Sequence, residues 1–135
     1  MNGRQAAFAT YEPYLRSMLR IMAAFTFSLH GWQKFFGMFG ALNGFKPPLA
    51  SVMGVAGVLE TVGGALILVG LFTRPVAFLL AGEMAVGYFM VHAPRGFWPL
   101  LNGGEITVFY CFCFLWLCTA GPGPISLDWL LRKRQ

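Results

Sequence analysis

The chain has 135 residues, which is enough for one domain. Hydrophobic residues make up 57% of it and charged residues 11%, whereas soluble domains carry about 25% charged residues. A chain this short cannot hide so much apolar surface in a core of its own, so lipid must cover part of it. The net charge of +5 is spread thinly, without the clustered basic face typical of nucleic-acid-binding proteins. We therefore expect no nucleic-acid partner.

Four apolar segments predict an all-α membrane protein, an antiparallel bundle of four transmembrane helices. About 20 helical residues cross a hydrocarbon core of about 30 Å, and helices satisfy their own backbone hydrogen bonds in lipid. Two flanking tails complete the single predicted domain. The predicted helices are residues 14–36, 49–72, 75–92 and 105–120, the N-terminal tail is residues 1–13, and the basic C-terminal tail is residues 125–135.

The connections between these segments carry turn and capping signals. Thr73, Arg74 and Pro75 predict a tight turn, because proline ends or begins a helix more readily than it continues one. The second and third helices should then be antiparallel neighbours. Asn102 is the predicted cap of the last helix, with Glu105 at its third position.

The distribution of lysine and arginine predicts that both termini lie in the cytoplasm. Cytoplasmic segments of membrane proteins carry an excess of these residues, and four spans place both termini and the tight turn on one side. Long basic side chains within the first segment are expected to extend toward the membrane surfaces. The predicted cytoplasmic side holds Arg4, Arg16, Arg20, Arg74, Arg132, Lys133 and Arg134, against Lys34, Lys46 and Arg95 on the other.

Glu60 and Glu83 lie near the centres of the second and third segments, where a charged side chain costs about 2.5–3.5 kcal/mol. An ionisable residue at this depth is by default a candidate for function, and antiparallel helices would bring the two to similar depth. The alternative is that each carboxyl only hydrogen-bonds between helices. Small residues beside them favour close helix contact, with Gly57, Thr61 and Gly64 on the stripe of Glu60 and Gly87 on that of Glu83.

A second group of polar and aromatic residues predicts a pocket on the side opposite the termini. Histidine near carboxylates suits a proton-coupled step such as oxidation or reduction of a quinone headgroup. The alternative is an ordinary aromatic belt with a capping glutamate. The candidate catalytic residues are Glu60, Glu83 and His30, and the candidate ligand-binding residues are Gln33, Lys34, His92, Arg95, Trp98, Asn102 and Glu105, among the aromatic residues Trp32, Phe35, Phe36, Phe39 and Phe97.

Metal and thiol chemistry have little support. The histidines and carboxylates lack the spacing of metal ligands on one helix, so no metal site is expected. Cys111, Cys113 and Cys118 lie in one apolar segment without a Cys-x-x-Cys pair, and we expect them to act as small apolar residues.

Several of these stretches, taken in order, resemble the DoxX family. The resemblance covers roughly residues 16–120. It implies a small four-helix bundle in the bacterial inner membrane. Some relatives are linked to thiosulfate oxidation with electron transfer to quinone, and others to defence against oxidative stress beside a thiol-linked enzyme. The matching stretches are His30-Gly31-Trp32-Gln33-Lys34 with Phe36-Gly37, Leu59-Glu60 with Gly63-Gly64, Gly70 to Arg74, Glu83-Met84-Ala85 with His92, and Pro94 through Trp98 to Glu105.

Three functions are compatible with these features. The first is an accessory or small-molecule (quinone-like) binding subunit of a membrane complex, with a membrane or periplasmic protein, or a second copy, as partner beside membrane lipid. The second is a quinone-linked oxidoreductase subunit whose electrons, from thiosulfate or a thiol, come through a partner, because no intrinsic cofactor is expected. The third is a small proton-coupled transporter, for which one chain of this size would need to dimerise.

Overall fold

The computed structural model describes residues 3–40 and 47–133, and within these ranges every regular element is a helix. Lys46 and Arg134, which the charge distribution assigned to opposite sides of the membrane, lie outside the described residues, as does the side chain of Arg4. The predicted all-helical class is confirmed. The helices are α1 (Gly3–Phe36), α2 (Val52–Val69), α3 (Thr73–Arg95), α4 (Pro99–Asn102), α5 (Glu105–Ala120) and α6 (Leu127–Arg132).

Within the described part of the chain, two helices have the length and composition to cross a membrane. Helix α2 has 18 residues with a mean hydropathy of 2.0, and α3 has 23 residues with a mean hydropathy of 1.6. Helix α5 is apolar as well but has 16 residues. Helix α1 has 34 residues, or about 51 Å at 1.5 Å per residue. It begins at Gly3 instead of residue 14, so that part of the predicted N-terminal tail continues the helix.

The long helices pack in neighbouring pairs around an apolar core. Helix α1 runs along α2, α3 runs along α5, and the α2–α3 turn joins the pairs. Phe27 of α1 closes the bundle against α5, with ring centroids 5.2 Å from Tyr110 and 4.9 Å from Phe114. Cys113 and Cys118 pack against this core as free thiols, as small apolar residues would. Other core residues are Ala24, Ile67, Ala77, Leu80, Ala81 and Leu117.

The turn between α2 and α3 lies three residues earlier than predicted. Gly70 and Phe72 adopt left-handed conformations, with φ of 71° and 51°, and α3 begins at Thr73. Thr73, Arg74 and Pro75 are therefore the first turn of α3 and not a loop, since a proline is tolerated where its missing N–H has no helical partner. The two helices are nonetheless antiparallel neighbours, as the sequence predicts.

Arg20 is the largest fully buried side chain among the residues whose burial is described, 8–40 and 47–133, at 0% exposure. Its guanidinium donates to the carbonyls of Ile67 and Leu68 at the end of α2, and to those of Pro122 and Ile125 in the connection before α6. The guanidinium does not extend into water, as the sequence analysis expected, but is buried at one end of the bundle. The last carbonyls of a helix have no helical partner, and five guanidinium donors can satisfy several of them at once.

Arg16 and Arg74 cap the end of α5 in the same way. Arg16 donates to the carbonyl of Ala120, and Arg74 donates to the carbonyls of Cys118 and Thr119 at 3.1 and 2.6 Å. Basic side chains stabilise the negative end of the helix dipole at such positions. These arginines and Arg20 therefore lie at the same end of the bundle, as the charge distribution requires.

Candidate functional site

The centre of the bundle contains an ion pair between α1 and α2. Lys34 Nζ lies 2.6 Å from Glu60 Oε1, and the two side chains are only 22% and 6% exposed. Lys34 therefore does not extend to the membrane surface as predicted, because its ammonium group reaches the Glu60 carboxylate and opposite charges attract strongly in an apolar surrounding.

Glu83 of α3 completes a group of three ionisable side chains and one hydroxyl, here called the central cluster and defined as Lys34, Glu60, Glu83 and Thr61. Glu83 interacts electrostatically with both Glu60 and Lys34, in agreement with the predicted similar depth of the two carboxyls. Four oxygen atoms in the cluster are buried and accept no hydrogen bond from any described residue. They are Glu60 Oε2, Thr61 Oγ1, Glu83 Oε1 and Glu83 Oε2.

The part of α2 that carries Glu60 and Thr61 is a π-helical turn, Leu59–Gly63. π-Helical turns are rare in proteins, but those that occur are often found at functional sites. Helix α3 contains a second π-helical turn, Tyr88–His92. Both turns therefore coincide with ionisable residues that the sequence singled out, although no local sequence pattern predicts a π-helical turn.

Small residues on both α1 and α2 allow these helices to come close together at the central cluster. A Cβ added to Gly31 of α1 would lie 2.7 Å from the backbone nitrogen of Thr61, and one added to Gly64 would overlap the hydroxyl of Ser28. The predicted helix-contact stripe on α2 is thus confirmed. The corresponding expectation for Gly87 is wrong, because a Cβ there would meet open space.

We expect Gly31→Ala to lower the free energy of unfolding by about 1–2 kcal/mol, since the added methyl group forces backbone segments apart. The same change at Gly82, whose added Cβ meets nothing within 4 Å, should be neutral or stabilise by up to about 1 kcal/mol through helix propensity. Unfolding of the two variants in detergent micelles under increasing denaturing detergent measures both. Equal effects at the two positions would contradict the close α1–α2 contact.

His30 lies at the outer edge of the central cluster. It is exposed and interacts electrostatically with Glu60. Its ring meets Tyr110 edge-on with centroids 6.3 Å apart, and the Tyr110 hydroxyl donates to Thr26 Oγ1 at 2.8 Å. His30 therefore contacts α5 through the ring of Tyr110, a residue that the sequence did not single out.

A second set of contacts, the loop cluster, consists of Tyr88, His92, Asn102 and Thr107. His92 Nδ1 lies 3.2 Å from the Asn102 carbonyl, and His92 Nε2 lies 3.4 Å from Thr107 Oγ1. The rings of Tyr88 and His92 stack with centroids 6.2 Å apart. The amide of Asn102 donates to Tyr88 Oη at 3.2 Å. These bonds tie the long loop to α3 and α5.

Asn102 does not cap α5 as predicted. The cap position is Gly104, and Glu105 is the first helical residue instead of the third. Asn102 Oδ1 accepts a hydrogen bond from Gly104 N at 2.8 Å, because the intervening Gly103 adopts a left-handed conformation with φ of 73°. Asn102 therefore stabilises the loop before the helix and not the helix end itself.

The structure divides the predicted pocket into separate parts. Among residues 8–40 and 47–133, no hydrogen bond, ion pair or ring contact joins the central cluster to the loop cluster. Arg95 and Trp98 are exposed outside both, with Trp98 packed on Phe97. Glu105 lines a shallow depression with Leu100 and Phe109. Gln33 is half-buried and contributes no bond to either cluster.

An all-helical chain with two helices fit to span a bilayer, and with ionisable side chains buried between them, is a small membrane protein. Comparison with known proteins narrows this class. A family model described as DoxX matches residues 15–93, and the chain belongs to the DoxX family, as the sequence resemblance indicates.

Three relatives are similar over most of their length. A protein of Haemophilus influenzae is 43% identical over 87% of this chain and 91% of its own. Inner membrane protein YphA of Escherichia coli is 30% identical over 90% of this chain and 93% of its own. Inner membrane protein YqjF of the same organism is 32% identical over 85% of this chain and 90% of its own. No solved structure matches the chain significantly.

Proposed function

We propose that this DoxX protein is an accessory subunit of the bacterial inner membrane that binds a small quinone-like molecule at the central cluster. The observation that carries the proposal is the set of four buried oxygen atoms without a hydrogen-bond donor. We further propose that α1, α2, α3 and α5 each cross the membrane, with both termini in the cytoplasm. The names of the two Escherichia coli relatives support this location.

Unpartnered buried acceptors cost about 1–3 kcal/mol each, and native proteins rarely retain several at one place. A ligand that donates hydrogen bonds would remove this cost. The reduced headgroup of a quinone presents two hydroxyl donors, which suit Glu83 and the free oxygen of Glu60. Its oxidised form presents carbonyl acceptors, which suit the ammonium group of Lys34. The apolar chain of such a molecule would lie in the lipid.

The accessory role is supported by the outer surface of the helices. Large apolar side chains are exposed along α1, α2, α3 and α5, including Met18, Val62, Phe78 and Phe112. Soluble monomers rarely expose so many large apolar side chains. Lipid covers such a surface, and so can a partner membrane protein.

A redox role is the second candidate, and His30 is the observation that favours it. Oxidation of a bound quinol releases two protons with its two electrons. Glu60 and His30 would carry those protons from the central cluster toward the surface. The electrons would pass to a partner subunit that holds a redox centre. This role adds a reaction to the same binding site and does not require a different one.

The test is identification of bound molecules by mass spectrometry after extraction into native lipid nanodiscs. We expect a stoichiometric quinone in the wild-type protein and an occupancy at least about ten-fold lower in Glu83→Leu, since hydrogen bonds to charged groups contribute about 1.5–3 kcal/mol. Glu12→Leu is the matched control, because Glu12 is exposed and pairs with Arg16 far from the cluster.

Recovery of only bulk lipid, or of protein subunits without quinone, would reject the quinone-binding proposal. Equal loss in the two variants would also reject it, because the loss would then reflect general destabilisation. Co-purification of a redox subunit together with quinone would favour the redox role.

A further inference from the structure

Three arginines line one cavity at the end of the bundle where Arg20 lies. This arginine cavity has a volume of about 300 Å³, and its walls come from α1, the start of α3, the connection after α5, and α6. The volume is at the lower end of the roughly 300–1,000 Å³ of small-ligand sites. The charged residues that line it are Arg16, Arg74, Arg132 and Asp128.

The arginines use some of their donors within the protein and keep others available. Arg16 bonds Ala120 and Glu12 through its two terminal nitrogens, while its buried Nε has no partner among the described residues. Arg74 bonds the end of α5 through Nη1 alone. Arg132 is exposed and forms no bond to another described side chain. An unsatisfied buried N–H is costly, so an acceptor belongs in this cavity.

The charge of the cavity defines the chemistry of that acceptor. Asp128 is the acidic residue in the lining, and its two oxygens already accept hydrogen bonds from the backbone of Phe72 and Thr73, both at 2.9 Å. Glu12 pairs with Arg16 from the exposed side of α1. Three guanidinium groups against the one carboxylate of Asp128 leave the lining with two positive charges in excess, and with one when the Glu12 partner of Arg16 is counted. Planar guanidinium groups bind phosphate oxygens in pairs, and a phosphate group satisfies several of them at once.

The position of the cavity indicates where the phosphate comes from. The apolar side chains of Trp129, Leu130 and Ile125 are exposed beside it, although Trp129 also lines the cavity. A short helix with exposed apolar residues and a basic end lies at the boundary between lipid and water. At this depth the abundant phosphates are those of lipid headgroups, and basic pockets on membrane proteins bind anionic lipids.

We propose that the arginine cavity binds the phosphate of an anionic phospholipid headgroup. The bound lipid joins α1, α3 and α6 through their arginines and seats the C-terminal segment on the bundle. This site is separate from the central cluster and does not depend on the proposed quinone binding.

Native mass spectrometry of the detergent-solubilised protein, titrated with phosphatidylglycerol or phosphatidylcholine, tests the proposal. We expect specific one-to-one binding of phosphatidylglycerol and an affinity about five-fold lower for Arg132→Gln, the usual contribution of one basic residue near an anionic lipid. Lys133→Gln is the matched control. It removes one positive charge from the residue next to Arg132. Lys133 does not line the cavity, and its Nζ lies 5.3 Å from the centroid of the Trp129 ring. Its affinity should fall less than two-fold.

Three results would overturn the proposal. Equal losses for the two variants would mean that the general charge of the C-terminal segment attracts the lipid. Equal affinity for phosphatidylglycerol and phosphatidylcholine would mean that no anion site exists. Displacement of phosphatidylglycerol by millimolar inorganic phosphate, with phosphate retained in its place, would assign the cavity to a free phosphate ion.

Discussion

Arg20→Met should lower the free energy of unfolding by about 3–5 kcal/mol, because an unsatisfied buried acceptor costs about 1–3 kcal/mol and the change removes the donor of several. Methionine fills a similar volume but leaves four carbonyls of two separate segments without donors. The lost bonds join the end of α2 to the connection before α6. The C-terminal segment should therefore detach before the rest of the bundle unfolds.

Denaturing-detergent titration followed by circular dichroism measures the loss, and limited proteolysis of the C-terminal segment reports the detachment. Arg20→Lys retains the charge but offers three donors from one nitrogen, so we expect it to recover less than half of the stability. Arg95→Met is the control, because Arg95 is exposed at the opposite end. If the free energy of unfolding of Arg20→Met lies within about 1 kcal/mol of the wild-type value, less than the cost of leaving these carbonyls without donors, water must satisfy them instead.

The structural role of Arg20 also illustrates what the sequence could not predict. Hydropathy located α2 and α3 because a spanning helix needs a long apolar run, and the spacing of Gly57 and Gly64 identified the face of α2 that contacts α1. Charge alone placed Arg20 near a membrane surface. Its actual partners, such as Pro122 and Ile125, are about a hundred residues away in the chain, and only the tertiary fold brings them within reach.

The candidate site shows the same limit. The sequence identified Glu60 and Glu83 as candidate site residues, because each is an ionisable residue near the middle of an apolar segment. The sequence analysis placed the Lys34 side chain at the membrane surface opposite the termini, since a lysine near the end of an apolar segment usually extends to water. The π-helical turn and the glycine contact at Gly31 bring α1 and α2 close enough for Lys34 to reach Glu60 instead. Tyr88 could have been predicted as a neighbour of His92, because it lies four residues earlier in the sequence and residues at this spacing share one helix face.

The ion pair of Lys34 and Glu60 leads to the last prediction, a double-mutant cycle. Lys34→Met and Glu60→Leu should each lower the free energy of unfolding by about 2 kcal/mol. This is less than the 3–5 kcal/mol of a fully buried pair, because the Lys34 side chain is 22% exposed. The double variant should lose only about 1 kcal/mol, since apolar residues of similar size often replace a buried pair at little cost. The coupling energy would then be about 3 kcal/mol.

This cycle separates the structural role of the pair from its proposed function. If the double variant is nearly as stable as wild type but retains no quinone in nanodiscs, the pair is kept for binding, because stability alone would favour the apolar version. If it is stable and still holds quinone, Glu83 and Thr61 are sufficient for binding and the pair serves the fold. Additive losses in the double variant would show instead that Lys34 and Glu60 act independently, which contradicts the 2.6 Å contact between them.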